Sequence, residues 1–142
     1  MREKNMGTVY AEITLKNAWD VENVECGLIK EPEIRETTVQ TVVDTGAETL
    51  VINEVVQKAL GLRTKHLSKS TLANGEQVIC KVAQAVEVCW KDRSMVCEPW
   101  VLPGAKEVLL GSIPLENMDL IVDPAERKLV GAHGDQPLGR IW

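Results

Sequence analysis

The stretch Thr41-Val42-Val43-Asp44-Thr45-Gly46-Ala47-Glu48-Thr49-Leu50-Val51-Ile52 carries one carboxylate, Asp44, from an apolar run into a tight glycine turn, and a second apolar run leaves it. Small residues follow the carboxylate, so a reactant can approach the backbone closely. The apolar pair before Asp-Thr-Gly and the Ala-x-Thr-apolar continuation reduce chance occurrence to roughly one in a thousand or below at average residue usage. Other chemistries written in similar letters fail at particular positions. A GTPase switch needs glycine three residues after the aspartate, where Ala47 stands, and no G-x-x-x-x-G-K-[ST] loop occurs. An Asp-x-Asp phosphoryl acceptor fails at Gly46, and a Ca²⁺ loop lacks its alternating ligands and closing glutamate. The plain alternative is a surface aspartate capping a β-turn. Apolar runs on both sides of the turn hold it inside the core and weigh against that.

The elements that must position Asp44 are mostly short strands. Residues 8–15 alternate and are rich in Val, Ile and Thr, and 33–43 do the same. Val78, Cys80, Val82, Val86, Val88 and Trp90 keep a period of two, which predicts one long half-buried strand over 78–90. A polar turn at Lys91-Asp92-Arg93-Ser94 and a strand over 95–102 complete a hairpin, and residues 120–122 and 128–130 form another around Asp123-Pro124. Two short helices interrupt the strands. Asn53 caps one that runs to Leu60, with Val55, Val56, Ala59 and Leu60 on one face and Gly61 as its stop. Ser112 caps the other, with Pro114 in its first turn and Leu115 and Met118 facing inward. The expected fold is a closed, all-β domain over residues 1–134 with one or two short helices, followed by a tail over 135–142.

With these landmarks in place the chain resembles the single-lobed, retropepsin-like aspartic proteases. Val42-Val43-Asp44-Thr45-Gly46-Ala47 is similar to that family's catalytic loop. Leu72-Ala73-Asn74-Gly75-Glu76 sits where the family has its flap hairpin, and Asn-Gly is a turn signal in its own right. Val108-Leu109-Leu110-Gly111 resembles the apolar strand that passes under the loop. The resemblance covers residues 8–131 and departs from the family at Ser112. Retropepsins often carry Arg or Asn there, paired with the acidic residue after Ala, so Glu48 lacks that partner.

The resemblance implies an aspartic endopeptidase with Asp44 as its catalytic residue, supported by Thr45, Gly46 and Ala47. Glu48, Ala73, Asn74 and Gly75 would meet the substrate, and Leu109, Leu110 and Gly111 would brace the loop. Two carboxylates about 3 Å apart share one proton in that chemistry, the aspartic-protease dyad being the standing example. The chain holds no second Asp-[Thr/Ser]-Gly, so the partner would be Asp44 of another copy in an isologous homodimer. The substrate would be a peptide or protein lying as an added strand, with no metal and no cofactor. Two other readings stand beside it: a dimeric peptide-binding or scaffold module with little turnover, and a structural β-barrel in which Asp44 only caps a turn.

Composition bounds the partners. At 142 residues and 15.7 kDa the chain is the size of one domain. A net charge of -5 argues against nucleic-acid phosphates or an anionic membrane surface as partner. Phe is absent and only four Trp and one Tyr are present, so the core must be built from Val, Leu, Ile and Ala. Cys26, Cys80, Cys89 and Cys97 form no C-x-x-C pair, and for Cys89 and Cys97, which flank a hairpin, buried free thiols are expected over a disulfide. Without a secretory signal or an apolar run of spanning length, a cytoplasmic location is expected. His66 and His133 read as surface residues, Trp90 and Trp100 as core, and the Ile141-Trp142 end as a docking element at a dimer interface.

Overall fold

The computed structural model describes residues 7–134. The N-terminal six residues and the 135–142 tail, with its expected docking through Ile141 and Trp142, lie outside the described residues. Eleven strands form: β1 (Val9–Asn17), β2 (Glu36–Val43), β3 (Leu50–Ile52), β4 (Thr64–Thr71), β5 (Gln77–Ala83), β6 (Val86–Trp90), β7 (Arg93–Cys97), β8 (Trp100–Val101), β9 (Val108–Leu110), β10 (Leu120–Asp123) and β11 (Lys128–Gly131). Three helices interrupt them: α1 (Ala18–Glu25), α2 (Glu54–Ala59) and α3 (Ser112–Asn117). Nine strands make one sheet in the order β4-β5-β8-β3-β9-β2-β1-β6-β7, and β10 pairs with β11. The all-β expectation holds, and none of the described helices is long and apolar enough to cross a membrane.

The predicted long strand over 78–90 is in fact two. Ala83 donates its N–H to Pro99 and Gln84 to Arg63, while Ala85 accepts from Ala18, so the chain changes partners at Gln84-Ala85. Period two survives the break, which is why the sequence reads as continuous. The break shapes the fold. β5 and β6 stand six places apart in the sheet order, about 29 Å in a flat sheet. Two linking residues reach only about 11 Å. Glu98-Pro99 makes an equally short link between β7 and β8, again six places apart. The sheet therefore rolls into a half-barrel, and the core fills its inside with Leu15, Leu50, Ile52, Leu60, Val86, Val88, Val101 and Leu110, all fully buried.

Helix α1 has no counterpart in the sequence reading. Asn17 ends β1 and caps α1: its Oδ1 accepts from the N–H groups of Trp19 (2.9 Å) and Asp20 (3.2 Å), and its Nδ2 donates to the Leu60 carbonyl (2.9 Å). On α2, Asn53 caps as expected, accepting from Val56 N–H (2.9 Å), and Gly61 stops the helix at φ +63°. Only Val56 and Leu60 are buried there; Val55 and Ala59 are exposed, because a single turn and a half presents a narrow face to the core.

The hairpin expected after Trp90 turns at Lys91 (φ 52°) and Asp92, and Arg93 is already in β7. Arg93 is buried, its guanidinium donating to the carbonyls of Met118 (3.1 Å), Asp119 and Gly134 (both 2.6 Å), which ties the C-terminal hairpin to the sheet. Register opposes Cys89 to Ser94 and Cys97 to Val86, so the two thiols do not face each other, and all four cysteines are free. Cys89 and Cys97 are half-buried, short of the burial expected of them, while Cys80 is buried and Cys26 is exposed. Burial pushes the Cys89 and Cys97 thiols up to about 11. His66 and His133 are exposed as expected.

Asp20 is the buried charge that secures this region. Arg35 reaches it with Nε (2.8 Å) and Nη2 (3.0 Å), and its backbone N–H adds a third bond (2.9 Å). Hydrogen bonding from the Arg35 side chain outweighs desolvation and holds the carboxyl below its ordinary 3.8. Since the folded-state pKa is lowered, the stabilisation is complete above the unfolded value and is lost as pH falls through the folded one. Asp20→Asn should lower unfolding free energy by about 2 kcal/mol at neutral pH, Arg35 being half exposed. In urea titrations that difference from the parent should shrink steadily below about pH 4.

Candidate active site

Backbone threading builds the Asp44 turn. β2 enters it and β3 leaves it, and β9 lies between them, parallel to β2 (Val43 opposite Leu110) and antiparallel to β3 (Leu50 opposite Leu110). Asp44 donates its N–H to the Leu110 carbonyl (3.0 Å), and the Asp44 carbonyl accepts from Ala47 N–H (3.0 Å). Gly46 N–H donates to Asp44 Oδ1 at 2.9 Å, which fixes the side-chain rotamer. Oδ2 makes no hydrogen bond among the described residues. The carboxylate is half-buried, while Thr45 and Gly46 are exposed beside it.

Gly111 lies directly beneath this turn. A Cβ there would run into Thr49 O and come within 2.6 Å of Ala47 O and 2.8 Å of Thr49 N. With no side chain in the way, Ser112 and Ile113 donate their N–H groups to Ala47 O (2.8 Å) and Glu48 O (2.9 Å). Those two donors open α3 and would otherwise be orphaned. This corrects the expectation that Ser112 caps α3: Gly111 is the N-cap, no side chain caps it, and loop carbonyls serve instead. Leu115 and Met118 are buried as expected.

A cleft of about 550 Å³ opens over the turn. Asp44, Gly46, Ala47, Glu48 and Thr49 border it on one side, and Lys69–Ala73 on the other. The β4–β5 hairpin that overhangs it turns through three residues: Leu72 N–H bonds to Glu76 O (2.8 Å), and Gly75 at φ +85° donates to Leu72 O (2.9 Å). Asn74-Gly75 thus closes the turn instead of forming its centre, the geometry of a three-residue loop with glycine in the left-handed position. Glu48 and Ala73 border the cleft; Asn74 and Gly75 do not, standing at the exposed tip where Asn74 Oδ1 accepts from Glu76 N–H (2.9 Å). Leu109 lines the cleft, whereas Leu110 is buried in the core. Thr45 does not border the cleft.

Several lining residues escape the sequence reading: Thr49, Val51, Lys69, Ser70, Thr71, Cys80, Trp100 and Leu102. Trp100 was expected in the core but is half-buried and lines the cleft; Trp90, also half-buried, does pack on the core. The reason is alternation: Val101 is fully buried, so Trp100 and Leu102 on either side point the other way. The ladders extend the same row. Tyr10 opposes Val42, Val42 opposes Leu109, Leu109 opposes Val51, and Val51 opposes Trp100. The central strands are therefore apolar on both faces, one closing the core and one flooring the cleft. Cys80, on β5, stays a protonated thiol because burial pushes it up. Among the described residues no group of three or more His, Cys, Asp or Glu side chains is arranged to hold a metal.

A family model described as aspartyl protease matches residues 29–122. No curated protein matches the sequence. Among solved structures, the retroviral protease-like domain of Ddi1 from Leishmania major aligns with a TM-score of 0.55 at 13% identity, over 92% of this chain and 92% of that one. A retropepsin-like aspartic protease from Rickettsia conorii aligns at 18% identity over 87% and 91%, with a TM-score of 0.42. The first of these likenesses establishes a retropepsin-like fold.

The packing under the turn predicts a sharp asymmetry between glycines. Gly111→Ala should destabilise the protein by about 3 kcal/mol or more, because rigid backbone blocks the new methyl. Gly75→Ala, with nothing within 4 Å, should cost only the ~1 kcal/mol of left-handed backbone. Denaturant midpoints of the two variants check this directly.

Proposed function

This chain belongs to the aspartyl protease family, and from that membership we propose that it is an aspartic-type endopeptidase acting as a homodimer, with Asp44 of each copy forming the catalytic pair. The observation that carries the reading is the Asp44 carboxylate itself. One oxygen is anchored by Gly46 N–H and the other is uncommitted, half-exposed at the edge of a cleft large enough for several residues of an extended peptide. The chain's single Asp-Thr-Gly supports the requirement for a second copy.

In this mechanism a water lies between the two carboxylates, which share one proton because both cannot ionise at about 3 Å. The ionised Asp44 takes a proton from the water as it attacks the scissile carbonyl, and the protonated Asp44 of the second copy donates to the carbonyl oxygen. The tetrahedral species collapses as the Asp44 that took the water's proton passes it to the amide nitrogen and the other Asp44 takes a proton back from a hydroxyl, which breaks the C–N bond and restores the shared-proton pair. Thr45, exposed beside Asp44, would brace one loop against the other through its hydroxyl, and Gly46 N–H holds one carboxylate oxygen in place.

The substrate would lie along the cleft as an extended chain. β4 supports this: it is the end strand of the sheet, and its Lys69–Thr71 segment borders the cleft with one backbone edge unpaired by the ladder. A cytoplasmic setting fits four free thiols, the state a reducing compartment maintains.

The Asp44 contact with Gly46 N–H is also what a purely structural turn cap, or a peptide-binding module without turnover, would show. The readings part on chemistry. Asp44→Asn should abolish cleavage of a peptide library over about pH 3 to 7 while leaving the unfolding free energy within ~1 kcal/mol of the parent's. Wild type and Asp44→Asn giving the same product profile would remove the peptidase reading. Specific activity per chain should also fall on dilution, in step with the dimer fraction measured by sedimentation.

A further inference from the structure

The charges of the cleft are unevenly disposed. Glu48 borders it, is exposed, and makes no side-chain hydrogen bond or ion pair among the described residues. Its backbone is nonetheless fixed, since Glu48 O accepts from Ile113 N–H at 2.9 Å. The carboxylate is therefore presented from a rigid base without a cation to neutralise it. Lys69 also borders the cleft, but from the edge strand. It opposes Ile79 across the ladder and shares a face with Leu67, and both of those apolar side chains are exposed on the outside of the hairpin. Ser68, on the alternate face, opposes Cys80, which lines the cleft. Lys69 therefore stands on the strand face of Leu67 and Ile79, opposite the face of Ser68 and Cys80, and forms no ion pair with Glu48. Asp44 and Glu48 are the two acidic residues that border the cleft.

Trp100 supplies the second half of the argument. It pairs with Val51, and Val51 lies three residues after Glu48, so at most about 10 Å of chain separates the carboxylate's residue from the strand that carries the indole's partner. An unpaired carboxylate and an aromatic side chain bordering one cleft suit a guanidinium or ammonium carried on an aliphatic stem. The charge is drawn by the carboxylate, and the stem and cation lie against the ring.

Resting on the peptidase reading above, we infer that Glu48 is a specificity-determining residue, selecting peptides that carry an arginine or lysine at one position along the cleft, with Trp100 as the wall for its stem. Its role is in binding, and it takes no part in the proton transfers at Asp44.

The test uses octapeptides in which a single arginine is moved along a constant apolar frame, with citrulline at the same position as the neutral isostere. Two quantities are read: kcat/KM with the wild type, and the dissociation constant with full-length Asp44→Asn protein, which holds peptide without cleaving it. At one position arginine should be preferred over citrulline by about tenfold in both, with the preference shrinking as salt rises. Glu48→Gln should bring that ratio close to one, and Glu48→Lys should invert it in favour of a glutamate peptide. Trp100→Leu should weaken arginine and citrulline peptides together, since both share the stem. Equal ratios in wild type, Glu48→Gln and Glu48→Lys, or no arginine preference at any position, would overturn the inference. Should no peptide be cleaved while the Glu48-dependent preference persists in binding, the peptidase reading falls and the recognition by Glu48 stands.

Discussion

Val108–Gly111 threads between the two arms of the Asp44 turn, and the rest of the site depends on that passage. Leu110 is the residue on which it pivots. Its carbonyl takes the Asp44 N–H, its ladder positions oppose Val43 on one side and Leu50 on the other, and its side chain is fully buried. One residue on, the chain must pass under Ala47 and Thr49 with no space for a methyl group. The loop carbonyls that close over Gly111 then serve as acceptors for the start of α3. A helix, a turn and a crossing strand satisfy one another's backbone groups, so the carboxylate is aimed by peptide geometry and not by a flexible loop.

Two-sided strands are the second consequence of this arrangement. β2, β3 and β9 are central in the sheet, and their runs Val42-Val43, Leu50-Val51-Ile52 and Val108-Leu109-Leu110 show no polar alternation. Burial on both faces produces such runs. Here one face meets the core and the other meets whatever occupies the cleft, so positions that serve stability and positions that serve binding differ by one residue along the same strand. Leu109 and Leu110 are the clearest pair: identical side chains, one on the floor of the cleft and one in the core.

What was legible in the sequence followed from local signals. The Asp-Thr-Gly turn, the Asn53 cap, the terminal hairpin and most strands announce themselves through patterning that neighbours alone determine. The misreadings have tertiary causes. Asn17 ends a regular alternation, so its capping of α1 is masked by the strand it terminates, and its bond to Leu60 O comes from 43 residues away. The change of partner at Gln84-Ala85 leaves the period intact and is visible only in the ladders. Arg93 looked like a turn residue, yet its guanidinium finds carbonyls up to 41 residues distant. Trp100 reads as core from its place on the hairpin, although its alternation with Val101 puts it on the other face. Asn74 and Gly75 marked the overhanging hairpin correctly but not the part of it that reaches the cleft.

The hairpin over the cleft is joined to the sheet in a way that bears on how a substrate enters. β4 pairs with β5 over its whole length, but β5 pairs with β8 at only two places, Lys81 with Val101 and Val82 with Trp100. Beyond Lys81 the two strands are bonded to each other alone. Mechanically the hairpin is a cantilever, and one of the two pairs at its root contains Trp100 from the cleft floor. Tilting the arm changes the height of the cleft without breaking any rung of the ladder beyond that root.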